Sequence, residues 1–338
     1  MAVNIFDVEE NKVTLNQLDY PIVILSELTG DGKTWNMNEY LTSISPEGKK
    51  PLFLMFEDRY HLVPNMKALR IRTISDLESV KSQLRNPKAK ELYSCVVIDT
   101  ADKYGEMLEK YTADTKEVEI SADIGYGKGR QYIKNKLYII DDLRNMGWKV
   151  NFLVQMEEVK DIISNTVSYK PKLQKDLWAK ISHEAYQIGV ISPDIKNKPD
   201  GKDNKWWITF SKSQRHPLLK DSIGLPAKIN VKDLKDTVDK VLKSMGGVTL
   251  VKEDLITTEV TEEFTFEEVI AKGQELGNKL ATAGKLEEAL NILRKNLGIV
   301  DEDTKTPATF DSLVPSQIDL AKLVVVQLEE LCSIHKIK

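Results

Sequence analysis

The stretch from Pro21 to Tyr40 constrains this chain more than any other. An apolar run, Ile22-Val23-Ile24-Leu25, enters a turn, Leu28-Thr29-Gly30-Asp31-Gly32-Lys33-Thr34, and leaves as a predicted helix over Trp35 to Ile44. Strand, glycine-bearing turn and helix are the layout of a phosphate-binding (Walker A) loop. Small residues let consecutive backbone N–H groups curl around phosphate oxygens, so Thr29, Gly30, Asp31 and Gly32 are the expected cradle. Lys33 follows where a cation must reach the β and γ phosphates. Thr34 then brings the hydroxyl expected on Mg²⁺, and the start of the helix favours the anion. One letter departs from G-x-x-x-x-G-K-[ST]: Glu27 stands where the first glycine belongs. A carboxylate there repels a triphosphate unless its side chain turns away.

A second signal lies roughly 65 residues downstream, in Ser94-Cys95-Val96-Val97-Ile98-Asp99-Thr100. Four apolar residues running into an aspartate read as a Walker B strand, whose carboxylate holds Mg²⁺ beside the loop. Between the two signals, Pro51 to Phe56 is an apolar run of strand length, expected to be covered on both faces and to deliver Glu57 and Asp58 at its carboxyl end. Trp148 to Val154 reads as a further buried strand ending in Gln155, placed to sense a γ-phosphate. Alternating strand and helix patterns predict an α/β fold with a mostly parallel sheet.

The remaining expectations are coarser. Ser75 to Leu84 is a predicted helix capped near Ser75, Asp76 and Glu78, and Ala101 to Tyr111 another. Gly125-Tyr126-Gly127-Lys128-Gly129-Arg130 is either a mobile connection or a loop whose cations and aromatic contact single-stranded DNA. Gln131 to Met146 reads as one amphipathic helix, Glu157 to Ser164 and Leu177 to Ile188 as helices, and Trp206 to Phe210 as a strand. Of the cations in Ser211 to Pro217, Lys212 and Arg215 either reach a phosphate or face solvent.

At 338 residues the chain has room for two domains. The pattern assigns 1–248 to the nucleotide-binding domain, 249–265 to an acidic linker and 266–338 to a helical C-terminal domain, where two helices meet at Gly284 and a third covers Ser316 to Ile334. A net charge of −4 gives no global pull toward nucleic acid or membrane. The N-terminus lacks the regions of a signal peptide, and no apolar run is long enough to span a bilayer, so a cytoplasmic location is expected. Cys95 and Cys332 are expected as buried thiols. The four histidines have no metal-ligand spacing, and no G-x-S-x-G elbow is present.

From Tyr20 to about Lys243, the order of phosphate loop, strand ending in Glu57, strand ending in Asp99, glycine-rich Gly125 to Arg130, long helix and strand ending in Gln155 resembles the RecA-like core. It is most similar to phage-encoded ATP-binding proteins of the single-strand annealing type, a branch of the RecA/RadA recombinases. The resemblance implies ATP and Mg²⁺ as cofactors, held by Lys33, Thr34 and Asp99. It makes Glu57, with Asp58 as a rival, the carboxylate that activates water, and Gln155 the link between γ-phosphate and DNA. Lys212 or Arg215 would act on the nucleotide of a neighbouring subunit. The implied function is ATP-dependent binding of single-stranded DNA in phage recombination or replication, by a homo-oligomer without membrane contact. The alternative is a nucleotide-switched module without turnover, whose C-terminal domain recruits a replication or packaging partner. A nucleotide kinase or packaging motor lacks a recognisable acceptor lid or nuclease carboxylate cluster.

Overall fold

Apolar runs in five segments, joined at the edge by the short and more exposed Lys67–Arg70, pair side by side as a parallel sheet. In this computed structural model they are β1 (Ile22–Ser26), β2 (Lys50–Met55), β3 (Lys67–Arg70), β4 (Tyr93–Asp99), β5 (Val150–Lys160) and, following β6 (Val167–Pro171), β7 (Gln187–Pro193). Their spatial order is β3-β2-β4-β5-β1-β7. β8 (Trp206–Thr209) and β10 (Lys228–Asn230) extend the sheet antiparallel beyond β7, and the short β9 (Lys220–Asp221) also pairs with β7. The structure describes residues 12–57, 63–125, 128–136, 138–161, 165–193, 206–249, 265–301 and 306–337.

Successive strand residues point to opposite faces, and here both faces are apolar. One face carries Val23, Leu25, Leu54, Ile98 and Phe152 under α2 (Ile74–Leu84), α4 (Ala101–Thr115), α6 (Tyr138–Asn145) and α7 (Lys175–Glu184). The other carries Ile24, Phe53, Val97 and Leu153 under α1 (Lys33–Ile44) and α8 (Leu234–Ser244). Full burial contributes about 1.5–3 kcal/mol for each such side chain. The three-layered core therefore holds the sheet, and the carboxyl ends of its strands are free to carry polar groups. Register brings those ends together: Ser26 pairs with Gln155 across β1 and β5, and Met55 with Asp99 across β2 and β4.

Several expectations are corrected. β5 does not end at Gln155; it runs on to Lys160 and pairs antiparallel with β6, so 157–160 is strand, while 162–164 lies outside the described residues. The helix predicted over Leu177 to Ile188 stops at Glu184, and the Ile188-Gly189-Val190-Ile191 run that follows is β7, the strand flanking β1. On its other side, Gly189 lets Ile208 of β8 and the nearby Phe210 ring pack close over β7, because a Cβ there would lie 2.7 Å from both side chains. Gln131 to Met146 forms two helices, α5 (Lys128–Lys136) and α6, and α2 is capped by Thr73 in a box with Asp76.

Packing divides the chain near residue 250; most of the expected linker, 250–264, lies outside the described residues. The C-terminal unit gathers helices Phe266–Thr282, Leu286–Leu297 and Ile318–Ile334 around Val269, Leu280, Ala289, Val324 and Leu328. Thr265 and Glu268 form its capping box, and Gly284 turns the first hairpin with φ +73. Cys95 and Cys332 are free and buried, and burial pushes the Cys95 thiol up to about 12. Among the described residues, no helix is long and apolar enough to cross a membrane.

Candidate functional site

The loop after β1 is shaped by two left-handed glycines, Gly30 at φ +94 and Gly32 at φ +75. At Gly30 an added Cβ would meet open space, but at Gly32 it would come within 2.8 Å of Asn36 Nδ2 and 2.9 Å of the Trp206 ring. Asp31 is used by the loop itself, its Oδ2 accepting a 2.9 Å hydrogen bond from the Leu28 N–H. Thr29 is exposed at the tip. Gly32 is the N-cap of α1 and brings no capping side chain, so the first-turn N–H groups keep their attraction for an anion. Gly32→Ala combines a disfavoured φ with a clash into Trp206. It is expected to lower the melting temperature by several degrees and to weaken nucleotide binding more than Gly30→Ala does, as read by differential scanning fluorimetry and by titration of a fluorescent ATP analogue.

Behind the loop the polar ends of three strands meet. Lys33 Nζ donates to Ser26 Oγ at 2.8 Å and to Gln155 Oε1 at 3.2 Å. Gln155 Nε2 in turn donates to the Glu27 carbonyl at 2.9 Å, and its backbone N–H is held by Asp102 Oδ1 at 3.0 Å. Thr34 Oγ1 donates to Asp99 Oδ2 at 2.7 Å. Burial pushes the Asp99 carboxyl up to about 6, against the pull of the Thr34 hydrogen bond and the Lys33 charge. Glu57, just past β2, accepts a 3.3 Å hydrogen bond from Thr100 Oγ1; its rival Asp58 lies outside the described residues. The peptide between Asp99 and Thr100 is cis.

The Glu27 carboxylate is held by two residues far along the chain. Its Oε1 accepts from Arg215 Nε at 2.8 Å and meets His216 Nε2 at 2.7 Å, while Oε2 takes Arg215 Nη2. Burial alone would raise this carboxyl, but the Arg215 and His216 hydrogen bonds outweigh it and hold Glu27 below the usual carboxylate range. Of the cations considered for a neighbouring subunit, Arg215 is thus engaged within its own chain, and Lys212 is exposed. Arg130 is likewise ion-paired, with Asp176; Tyr126 and Gly127 lie outside the described residues.

Residues 26–218, from the last residue of β1 to the segment that holds Glu27, match the AAA domain family AAA_24. The chain belongs to this family. Its α/β fold, with a mostly parallel central sheet and C-terminal helices, is that of P-loop NTPases. This AAA_24 protein is 24% identical over 308 residues to the SPbeta prophage-derived uncharacterized protein YorG of Bacillus subtilis (strain 168), covering 88% of this chain and 91% of that one. A KaiC-like protein, PH0186 from the hyperthermophilic archaeon Pyrococcus horikoshii OT3, aligns over 59% of this chain and 87% of its own at 13% identity. Its TM-score of 0.35 adds nothing to the family assignment.

The AAA_24 site fits a polyphosphate with one divalent cation. An uncapped helix start and glycine amides suit the anion, and a hydroxyl hydrogen-bonded to a buried carboxylate suits Mg²⁺, which takes one or two protein oxygens beside phosphates and waters. Among the described residues no group of three or more His, Cys, Asp or Glu side chains could hold a metal ion. The structure thus gathers Gly30, Gly32, Lys33, Thr34, Asp99, Gln155 and Glu57 at one sheet edge. Sequence reasoning missed Ser26, Asp102 and Thr100. Each is polar at the end of a strand or just past it, and that position was the available signal.

Proposed function

We propose that this AAA_24 protein is a slow, Mg²⁺-dependent ATPase that binds single-stranded DNA in phage recombination or replication, acting as a homo-oligomer in the cytoplasm. The observation that carries the ATP reading is the 2.7 Å contact between Thr34 Oγ1 and Asp99 Oδ2 beside Lys33. It pairs the hydroxyl and carboxylate that a nucleotide-bound cation requires. In this reading Lys33 exchanges Ser26 and Gln155 for the β and γ phosphates. Mg²⁺, when bound, neutralises phosphate charge. Glu57 accepts the proton of the attacking water, and Thr100 fixes its carboxylate. Gln155, hydrogen-bonded to Lys33, registers the lysine's move.

The DNA role rests on the resemblance to annealing-type recombinases and on the prophage origin of the relative from Bacillus subtilis. It is tested by fluorescence anisotropy of a labelled oligonucleotide. With ATP and Mg²⁺ the affinity should rise at least several-fold, and it should fall steeply with added salt because phosphate contacts release counterions. Affinity indifferent to nucleotide would remove the DNA role while leaving the ATPase reading intact.

A further inference from the structure

Glu27 occupies the position where the loop pattern asks for glycine, yet its backbone needs none. Among the described residues, the non-glycine positions with positive φ are Asn65, Glu117, Asn165 and Lys336. Residue 27 is instead held from both ends. Its carbonyl is bound by Gln155 Nε2, and its carboxylate is occupied on both oxygens by Arg215 and His216.

The partners of that carboxylate are themselves anchored. The Arg215 guanidinium stacks 4.8 Å over the Tyr169 ring, and its carbonyl accepts a 2.8 Å hydrogen bond from the Tyr169 N–H. The His216 ring lies 5.9 Å from the same tyrosine, and the His216 N–H donates to Ser213 Oγ at 3.0 Å. Tyr169 belongs to β6 and pairs with Glu158 of β5, the strand that also carries Gln155. The contacts therefore close a ring from the loop through Gln155, β5, β6 and Arg215 back to the loop.

We propose that Glu27, Arg215 and His216 form a clamp that positions the phosphate loop for nucleotide, with Glu27 and Arg215 as positioning residues. The proposal rests on the nucleotide reading of this site. The clamp offsets the repulsion expected of an acid here, because the Arg215 guanidinium matches its charge. It also restrains backbone that a glycine would leave freer. Bidentate arginine–carboxylate pairs add geometric specificity to attraction, which suits them to fixing a loop.

The sharpest test is Glu27→Gly, which restores the letter of the pattern. In titrations with a fluorescent ATP analogue, Glu27→Gly and Arg215→Ala should each weaken binding by roughly five- to tenfold, as expected for a charge-assisted pair partly exposed to water. The double variant should be no weaker than either single one, because the pair acts as a unit. Arg215→Lys should fall between, and KM for ATP should rise more than kcat falls. Hydrogen–deuterium exchange without nucleotide should show faster exchange of the 26–32 amides in both single variants. Glu27→Gly binding as tightly as the unaltered protein, or unchanged loop exchange, overturns the clamp. Should Glu27→Gly fail to fold, the exposed Arg215→Ala carries both readouts. An unaltered protein that binds no ATP analogue overturns the nucleotide reading instead, and the exchange experiment still judges the clamp.

Discussion

Lys33→Ala is expected to weaken ATP binding by roughly 100-fold or more, since each hydrogen bond to a charged group contributes about 1.5–3 kcal/mol and 1.4 kcal/mol is tenfold. Phosphate release should fall to background with it. The fold should survive, because the groups Lys33 engages have other partners: Ser26 Oγ also donates to the Leu28 carbonyl, and Gln155 Nε2 also holds the Ser26 and Glu27 carbonyls. A melting temperature within a few degrees of the unaltered protein, beside lost binding in calorimetry, would place the effect in the site. Equal phosphate release from both proteins would leave only the nucleotide-switched module.

Asp99→Asn should separate stability from function in the opposite sense. The Asp99 carboxyl is raised from 3.8 to about 6, chiefly by burial. Its ionised form is therefore disfavoured in the folded protein. The cost is absent below the unfolded value, grows as pH rises toward the folded value, and is complete above it. One pKa unit is 1.36 kcal/mol, so the cost at neutral pH is on the order of 2–3 kcal/mol. Asparagine keeps an oxygen for the Thr34 hydroxyl and carries no charge. The variant should melt several degrees higher at pH 8 and at nearly the same temperature as the unaltered protein at pH 4, while losing Mg²⁺-dependent nucleotide binding. In the unaltered protein, that binding should weaken as pH falls below about 6, because the carboxylate must shed its proton to meet a cation. A melting difference independent of pH would refute the assignment.

The phosphate loop and the strand ending in Asp99 were legible because each is a short, local pattern whose chemistry fixes residue type and spacing. Gln155 was legible as the polar residue closing an apolar run. What lay beyond it was not, because Met156 and Val159 stand three residues apart with charges between and after them, a spacing that reads as helix until the partner strand, Val167–Pro171, is known. β7 was hidden by running on from a helix within a few residues, although Ile188-Gly189-Val190-Ile191 has the β-branched content of a buried strand. The partners of Glu27 were beyond reach: Arg215 lies 188 residues away in sequence, and no period links the two. Local chemistry was readable, whereas long-range pairing was set by the sheet.

The course of β5 has a mechanical consequence. Gln155 stands midway along an 11-residue strand whose outer part, with β6, leaves the sheet as a two-stranded arm. At about 3.3 Å per residue the arm ends roughly 15 Å past the glutamine, so a tilt of about 5° at its root sweeps the tip by on the order of 1 Å. Val159 and Val167, each 37% exposed, ride near that tip. In the proposed reading, a change of partners at Lys33 would reach this arm through Gln155, while Tyr169 of β6 ties the arm back to Arg215.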